Sequence, residues 1–365
     1  MKHAINRREF LKFGASATVL PGFVTPKGGN SLDIPSWAQN EIDVAVNRFE
    51  RWKRDDEVVA FVFLTDVHSC LESMPQSPDF SDSRFHALFA QVAADQARCD
   101  FIVDGGDHDY ERGQQSDEAL QKRMAVTESI YSGCMSRPVL FCLGNHDHGA
   151  ARKGAIGRPI SSAMFGERFN GLAVRHGHRI MFGENRSWGY YDIPNKKFRA
   201  IFVNTSDDGY FGFSTSQLEF LAKSLASLPD GWVVALFGHY CVLNEIGHWK
   251  QYETDCATRK QEFISILKSF VNRRPNDLVG YFCGDSHFDN EQEWEGINWT
   301  ISQGYGGIDR ANFPWGAQRT EFSRKENMLF ELVAVKPAIG EFKIFRVGAG
   351  GANRDRKCCF HNKFA

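Results

Sequence analysis

Residues 58–68 read VVAFVFLTDVH. Seven apolar residues in a row, rich in Val and Phe and preceded by charge, predict a strand buried on both faces. The run stops abruptly at Thr65-Asp66-Val67-His68, where apolar residues give way to metal-ligand types. The same punctuation returns four times. The apolar run 101–103 ends in Asp104-Gly105-Gly106-Asp107, and 139–143 ends in Gly144-Asn145-His146-Asp147. The run 232–237 ends in Gly238-His239, and 278–283 ends in Gly284-Asp285-Ser286-His287. Gly precedes four of the five clusters and permits tight turns.

Between these runs the period changes. Helical spacing predicts helices over 83–98, 118–131, 216–228 and 259–272, with Ser216 and Glu219 forming a capping box on the third. A further apolar run at 198–203 adds a strand, and strands alternating with helices predict an α/β fold. Residues 293–304 and 328–347 carry strand patterns with no helix between them, so the sheet is expected to finish in antiparallel strands. The stretch 148–187, rich in Gly and Arg, reads as a loop-rich insertion. The expected organisation is a signal segment at 1–28, an N-terminal extension at 29–56, one catalytic domain at 57–349 and a basic tail at 350–365.

Ligand sites in open α/β sheets form at the carboxyl ends of strands. A lone Asp-x-His is more often a surface turn, and a lone buried His is more often a hydrogen-bonded core residue. Five such ends delivering Asp, His and Asn to one edge are not explained that way. G-x-S-x-G, Walker, H-E-x-x-H and intact G-x-G-x-x-G signatures are absent from the sequence.

The series Asp-x-His, Gly-Asp, Gly-Asn-His-Asp, Gly-His and Gly-x-x-His over residues 66–287 resembles the calcineurin-like metallophosphoesterase family. The resemblance implies a four-layer α/β/β/α sandwich of two mixed sheets flanked by helices, with two metal ions at the sheet edge. It implies hydrolysis of phosphoric monoesters or diesters by a metal-bridging hydroxide attacking in line. It places Asp66, His68, Asp107 and His287 on the first ion, and Asp107, Asn145 and His239 on the second. It makes His146 the residue that stabilises the transition state or protonates the leaving oxygen. Asp147 either orients His146 or is a solvated turn carboxylate. A nucleotide or pyrophosphate hydrolase on the same metals is an alternative, as is a non-catalytic phosphate- or metal-binding homologue.

Two positions depart from the family pattern. Asp285 stands where the family's last motif usually has His; as a ligand it makes the second site oxygen-rich and favours Mn, Fe or Mg over Zn, and turned away it leaves the second site weak or empty. Tyr110, three residues after Asp107, is similar to the iron-binding tyrosine of purple acid phosphatases, but those enzymes lack a histidine two residues after their first aspartate, where His68 stands here, so a packing or surface role is the preferred reading. His108 and His148 are expected at the polar rim of the site, and Arg152, Lys153, Arg158 and Arg175 offer contacts to phosphate oxygens or are solvated loop charges. The Gly304-Tyr305-Gly306-Gly307 turn is expected as another wall of the site.

Composition narrows the partners. Residues 1–28 hold Lys2, Arg7, Arg8, Lys12 and Lys27 against Glu9, a charge of +4, so a whole-chain charge of −2 leaves −6 for the remainder. A mildly acidic chain has no sequence-wide footprint for nucleic acid. The expected partner is a phosphorylated small-molecule or phosphodiester substrate. Arg7-Arg8-Glu9-Phe10-Leu11-Lys12 ahead of an apolar stretch resembles a twin-arginine export signal, which implies the twin-arginine export machinery as a partner and a periplasmic or extracytoplasmic location. No transmembrane segment is expected in the mature chain. Nine scattered cysteines without a C-x-x-C pair read as small hydrophobes rather than a disulfide framework. Cys358, Cys359 and His361 are read as part of a frayed tail, with metal binding as the alternative.

Overall fold

The structure is a computed structural model that describes residues 34–54, 56–67, 84–108, 136–148, 160–207, 212–243, 259–302, 304 and 328–360, together with a few positions between 124 and 132. The chain opens with helix α1 (Ser36–Lys53) and strand β1 (Val59–Leu64). Helix α2 (Arg84–Gln96) leads into β2 (Phe101–Asp104) and β3 (Val139–Phe141). Then come β4 (Met181–Phe182), β5 (Gly189–Ile193), β6 (Phe198–Phe202), helix α3 (Thr215–Ala226), β7 (Val233–Phe237), helix α4 (Lys260–Arg273) and β8 (Leu278–Cys283). Five strands close the fold: β9 (Asn290–Trp294), β10 (Ile297–Ile301), β11 (Leu329–Lys336), β12 (Glu341–Gly348) and β13 (Arg356–Cys359).

These strands form two mixed sheets, ordered β13-β12-β11-β1-β2-β3 and β4-β5-β6-β7-β8-β10-β9. β1, β2 and β3 run parallel in the first, as do β6, β7, β8 and β10 in the second. β1 also pairs antiparallel with β11, in register Phe61↔Val333. Alternation along each strand builds the layers. Val59, Phe61 and Phe63 of β1 face the second sheet, where they meet Val233, Ala235 and Phe237 of β7 and Phe282 of β8. Ala60, Val62 and Leu64 face outward onto α1 and α2. Val234 and Leu236 of β7 face α3 and α4 on the far side. Both faces of each central strand are therefore covered, which is why these runs are continuously apolar.

Between the sheets Phe61 stacks on Phe101 at 5.0 Å and meets the edges of Phe237 and Phe282 at 5.2 and 5.6 Å. Such pairs add about 0.5–1.5 kcal/mol each beyond area burial. This aromatic layer sets the sheets at a fixed spacing, so their site edges face one another without adjustment. The expected four-layer sandwich is the observed architecture.

Some local readings are corrected. The helix near 216 starts one residue earlier: Ser214 is its cap, accepting from the Gln217 N–H at 3.3 Å, while Glu219 faces Lys223 at 3.8 Å instead of turning back. Within the described part of the 148–187 stretch, residues 162–175 are helical, with turns Ser162–Phe165, Gly166–Asn170 and Gly171–Arg175 running on from one another, and Met181–Phe182 forms β4. Phe165, Phe169 and Leu172 recur at helical spacing there and enter the core, a period hidden by the surrounding Gly and Arg. Residues expected to fray at the end instead form β13, held antiparallel to β12 by register Phe342↔Cys358. Arg356, half-buried beside Glu331, Asp289 and Glu291, supplies the physical reason. The expected helix at 118–131 lies largely outside the described residues, as do 1–33 with the signal segment, His68, Cys70, Tyr110, Arg152, Lys153, Arg158, Tyr305-Gly306-Gly307, His361 and the side chain of His148.

Candidate metal centre

The parallel strands end at one edge of the sandwich, and each hands its polar cluster to the same point. Four of the residues delivered there have left-handed backbones: Asp66 (φ 53°), Asp107 (φ 56°), Asp285 (φ 61°) and His287 (φ 57°). This region is uncommon for non-glycine residues and concentrates at sites where side chains must be aimed against local preference. Hydrogen bonds hold the turns: the Asp66 N–H donates to the Gly106 carbonyl at 2.8 Å and the Asp285 N–H to Asp66 Oδ2 at 3.0 Å. Thr65 Oγ1 donates to the same Asp66 oxygen at 2.7 Å. At Gly144 a Cβ would collide with Asp107 Oδ1 and the Asp107 amide nitrogen, so glycine is what lets the third turn close on the second.

Asp66, Asp107 and His239 are buried and present ligand atoms that all lie within 4.8 Å of one another. His239 Nε2 is 3.0 Å from Asn145 Oδ1, 3.3 Å from Asp107 Oδ2 and 3.8 Å from Asp285 Oδ1. Its other ring nitrogen contacts the Gly105 carbonyl at 2.8 Å, which fixes the ring. His287 Nε2 lies 3.1 Å from Asp66 Oδ1 on the opposite flank. The structure thus brings Asp66, Asp107, Asn145, His239, Asp285 and His287 together, with Asp107 near the middle.

The electrostatics fit a cation. Burial pushes the Asp285 carboxyl up; His239 opposes this, while Asp66 and Asp107 reinforce it, and the group comes to rest at about 7. For His239, burial pushes the imidazole down, but Asp107 first and then Asp66 and Asp285 hold it well above its usual value. A protonated His239 and a protonated Asp285 are how the residues by themselves offset the excess of carboxylates. Metal ions would replace those protons, and binding would release them. Carboxylate, amide and imidazole donors suit Mn, Fe, Mg or Zn ions.

His146 begins the short 3-10 turn His146–His148 and is only half-buried. Its N–H donates to Asp107 Oδ1 at 2.9 Å, and its Nε2 is 3.8 Å from Asp107 Oδ2. Asp147 is 6% exposed, which rules out a solvated turn carboxylate. Its Oδ2 accepts from the N–H groups of Asp107 and Gly144 at 2.9 and 2.8 Å, and its Oδ1 from the His108 N–H at 2.8 Å. Burial pushes the Asp147 carboxyl up, but His108 first, then the Gly144 N–H and His239, prevail and hold it well below the carboxylate range.

His108 is not a rim residue. It is 3% exposed and lies beneath the turns, where its ring nitrogens reach Asp104 and Asp147. Sequence reasoning passed over this buried group of Asp104, His108 and Tyr131; its available signal was a carboxylate closing an otherwise apolar strand at Asp104. Arg175, offered as a phosphate contact, instead reaches Glu128 Oε1 and the Arg168 carbonyl, both at 2.9 Å. Among the described residues the cysteines at 142 and 283 are buried and unbridged, Cys241 is half-buried, and Cys358 and Cys359 sit in β13.

The model that describes calcineurin-like phosphoesterases matches residues 59–289, more than half of the chain. No curated protein matches the sequence. Among solved structures, a dimetal phosphatase from Danio rerio is similar at 12% identity and a TM-score of 0.56, covering 84% of this chain and 100% of its own. A purple acid phosphatase from seeds of yellow lupin, Lupinus luteus, is similar at 14% identity and a TM-score of 0.52, with 84% of this chain and 54% of that chain covered. GAP50, the anchor in the inner membrane complex of Plasmodium, is similar at 13% identity and a TM-score of 0.50, covering 84% and 90%. Such low identities carry a likeness of fold.

Proposed function

The chain belongs to the calcineurin-like phosphoesterase family of phosphoric ester hydrolases, and from that premise we propose that it hydrolyses phosphoric monoesters or diesters with two metal ions at the sheet edge. The observation that carries the reading is the convergence of Asp66, Asp107 and His239, with ligand atoms within 4.8 Å of one another, on the point where five strands end. Asp66, His287 and His68 would hold one ion; Asn145, His239 and Asp285 would hold the other, with Asp107 between them. Ions bound there supply Lewis acidity towards the ester oxygens and a lowered pKa for a water nucleophile.

The remaining work falls to the protein. Asp107 is fixed from three sides, by its own N–H to Asp147, by the His146 N–H on Oδ1, and by His239 near Oδ2. His146, half-buried beside Asp107, would hold a proton at Nε2 and pass it to the leaving oxygen. Asp285 adds an anionic oxygen donor, which favours the harder ions Mn, Fe and Mg over Zn.

The test uses the full chain loaded with Mn²⁺. It counts metal per chain and follows hydrolysis of a mono-aryl and a bis-aryl phosphate, with and without EDTA. Turnover that disappears with EDTA supports the reading. Two ions per chain with no turnover of either ester would sink it in favour of a binding protein.

The proposal extends to export, supported by Arg7-Arg8-Glu9-Phe10-Leu11-Lys12 and the apolar stretch behind it. Arg7→Lys with Arg8→Lys should leave the protein in the cytoplasmic fraction of a host with a twin-arginine pathway; unchanged fractionation would refute it. Among the described residues no helix is long and apolar enough to cross a membrane.

A further inference from the structure

We propose that His108 is a positioning residue for the metal centre, acting through Asp147 to hold the two turns that present Asp107, Asn145 and His146. The inference rests on the functional reading above, because it concerns the presentation of those ligands.

The geometry starts behind the site. His108 Nε2 lies 3.0 Å from Asp104 Oδ1, and Nδ1 lies 3.0 Å from Asp147 Oδ2. Each ring nitrogen is taken up by a neighbouring carboxylate, so neither is available to a metal. The ring stacks on Phe169 at 5.4 Å with a 9° interplanar angle, and Phe141 and Phe165 approach at 5.8 and 5.6 Å. Aromatic packing and two ion pairs leave the imidazole one orientation. Asp104 is held in turn by the Tyr131 hydroxyl and by the Gly106 N–H.

Forward of His108, Asp147 gathers backbone N–H groups from both turns, those of Asp107 and His108 from one and that of Gly144 from the other. The gathered turns also meet through the His146 N–H on Asp107 Oδ1. If Asp147 rotated, these bonds would be lost together, and Asp107 and His146 would no longer share one geometry. His108 contacts Asp147 by both its ring and its backbone N–H, and so opposes that rotation. A rim histidine would do none of this, and an apolar residue at 108 would leave two buried carboxylates facing each other without a cation.

That last point shapes the test, since His108→Leu alone is liable to fail through charge burial. The triple variant Asp104→Leu, His108→Leu, Tyr131→Phe removes both charges and the hydroxyl that served them. Thermal melts in EDTA, Mn²⁺ titration calorimetry and the electron paramagnetic resonance spectrum of the Mn²⁺-loaded full chain are compared with wild type. The triple variant should fold, bind Mn²⁺ about 10–100-fold more weakly, and lose the exchange-coupled two-Mn²⁺ signal.

His108→Gln and His108→Asn form the second comparison. The Asn amide nitrogen takes the place of Nδ1 and can keep the bond to Asp147, so that variant should stay within about threefold of wild-type affinity, whereas the Gln nitrogen takes the place of Nε2 towards Asp104 and should lose about tenfold or more. A folded triple variant with wild-type Mn²⁺ affinity and an intact coupled signal overturns the inference. If the triple variant does not fold, equal affinities for the Gln and Asn variants overturn it and a tenfold gap upholds it. Wild-type protein that binds no Mn²⁺ overturns the functional reading and this inference with it, an outcome distinct from variants that bind as wild type does.

Discussion

Asp285→Asn should make the metal-free protein more stable at alkaline pH while weakening its hold on metal. The carboxyl is 16% exposed, faces Asp66 and Asp107, and is lifted from its ordinary 3.8 to about 7, by burial first and by those two acids, against the pull of His239. A raised carboxyl pKa means that the folded state keeps a proton that the unfolded chain has already released. Stability from this group is therefore complete below the unfolded value of 3.8, is lost as pH rises towards 7, and is flat beyond. At 1.36 kcal/mol per pH unit the whole loss is about 4 kcal/mol at most, of which ~2–3 kcal/mol falls between pH 5 and pH 8. The neutral Asn variant escapes that loss. Urea unfolding in EDTA at pH 5, 6.5 and 8 measures it as a wild-type midpoint that falls with pH relative to the variant. In Mn²⁺ the order reverses, because the variant lacks the anionic donor. Calorimetric Mn²⁺ titrations at pH 6 in buffers of different ionisation enthalpy should show wild type releasing close to one proton more than the variant. Parallel stability curves from pH 5 to pH 8, or equal proton release, would refute the reasoning.

Gly144→Ala places a methyl against Asp107 Oδ1 and the Asp107 amide nitrogen, and should cost ~1–3 kcal/mol in a urea melt and reduce bound metal measured by elemental analysis. His146→Ala should lower kcat on an aryl phosphate by about 10²–10⁴-fold with metal content unchanged; a fall in bound metal instead would assign His146 a structural part. Arg346→Met leaves Asp289 and Glu331, at 2.5 and 3.2 Å from the lost guanidinium, short of a buried cation, so unfolding should become ~3–5 kcal/mol easier. An unfolding midpoint within error of wild type would show that Arg356 suffices for both acids.

The strand ends and their ligand types were legible because burial on both faces forces continuous apolar runs, and any polar residue closing such a run stands out. Phe101 to Val103, followed by Asp104 and Asp107, is the clearest instance. The left-handed backbones at Asp66, Asp107, Asp285 and His287 were not legible, since only glycine announces that conformation in a sequence. His108 was misplaced at the rim because Asp147 and Tyr131 come from distant positions, and Asp104, four residues earlier, reads as one more strand-end carboxylate. β13 was hidden for a similar reason: Arg356 reads as a solvated charge until Glu331, 25 positions earlier, is found beside it. The cap at Ser214 rather than Ser216 shows the usual ambiguity where several hydroxyl residues stand together.

The pairing of β1 with β11 has a consequence for biosynthesis. β1 is complete by residue 64, but the strand on its other side begins at Leu329, and Arg48 of α1 waits for Asp355. At about 5–20 residues per second, a ribosome needs roughly 15–50 s to supply that partner. Throughout that interval the nascent chain carries an open, wholly apolar strand edge, the kind that pairs with whatever strand it meets. The cell must shield this edge or keep the first sheet from forming, so the protein's yield in a host should depend on holdase capacity and translation speed as much as on the stability of the finished sandwich.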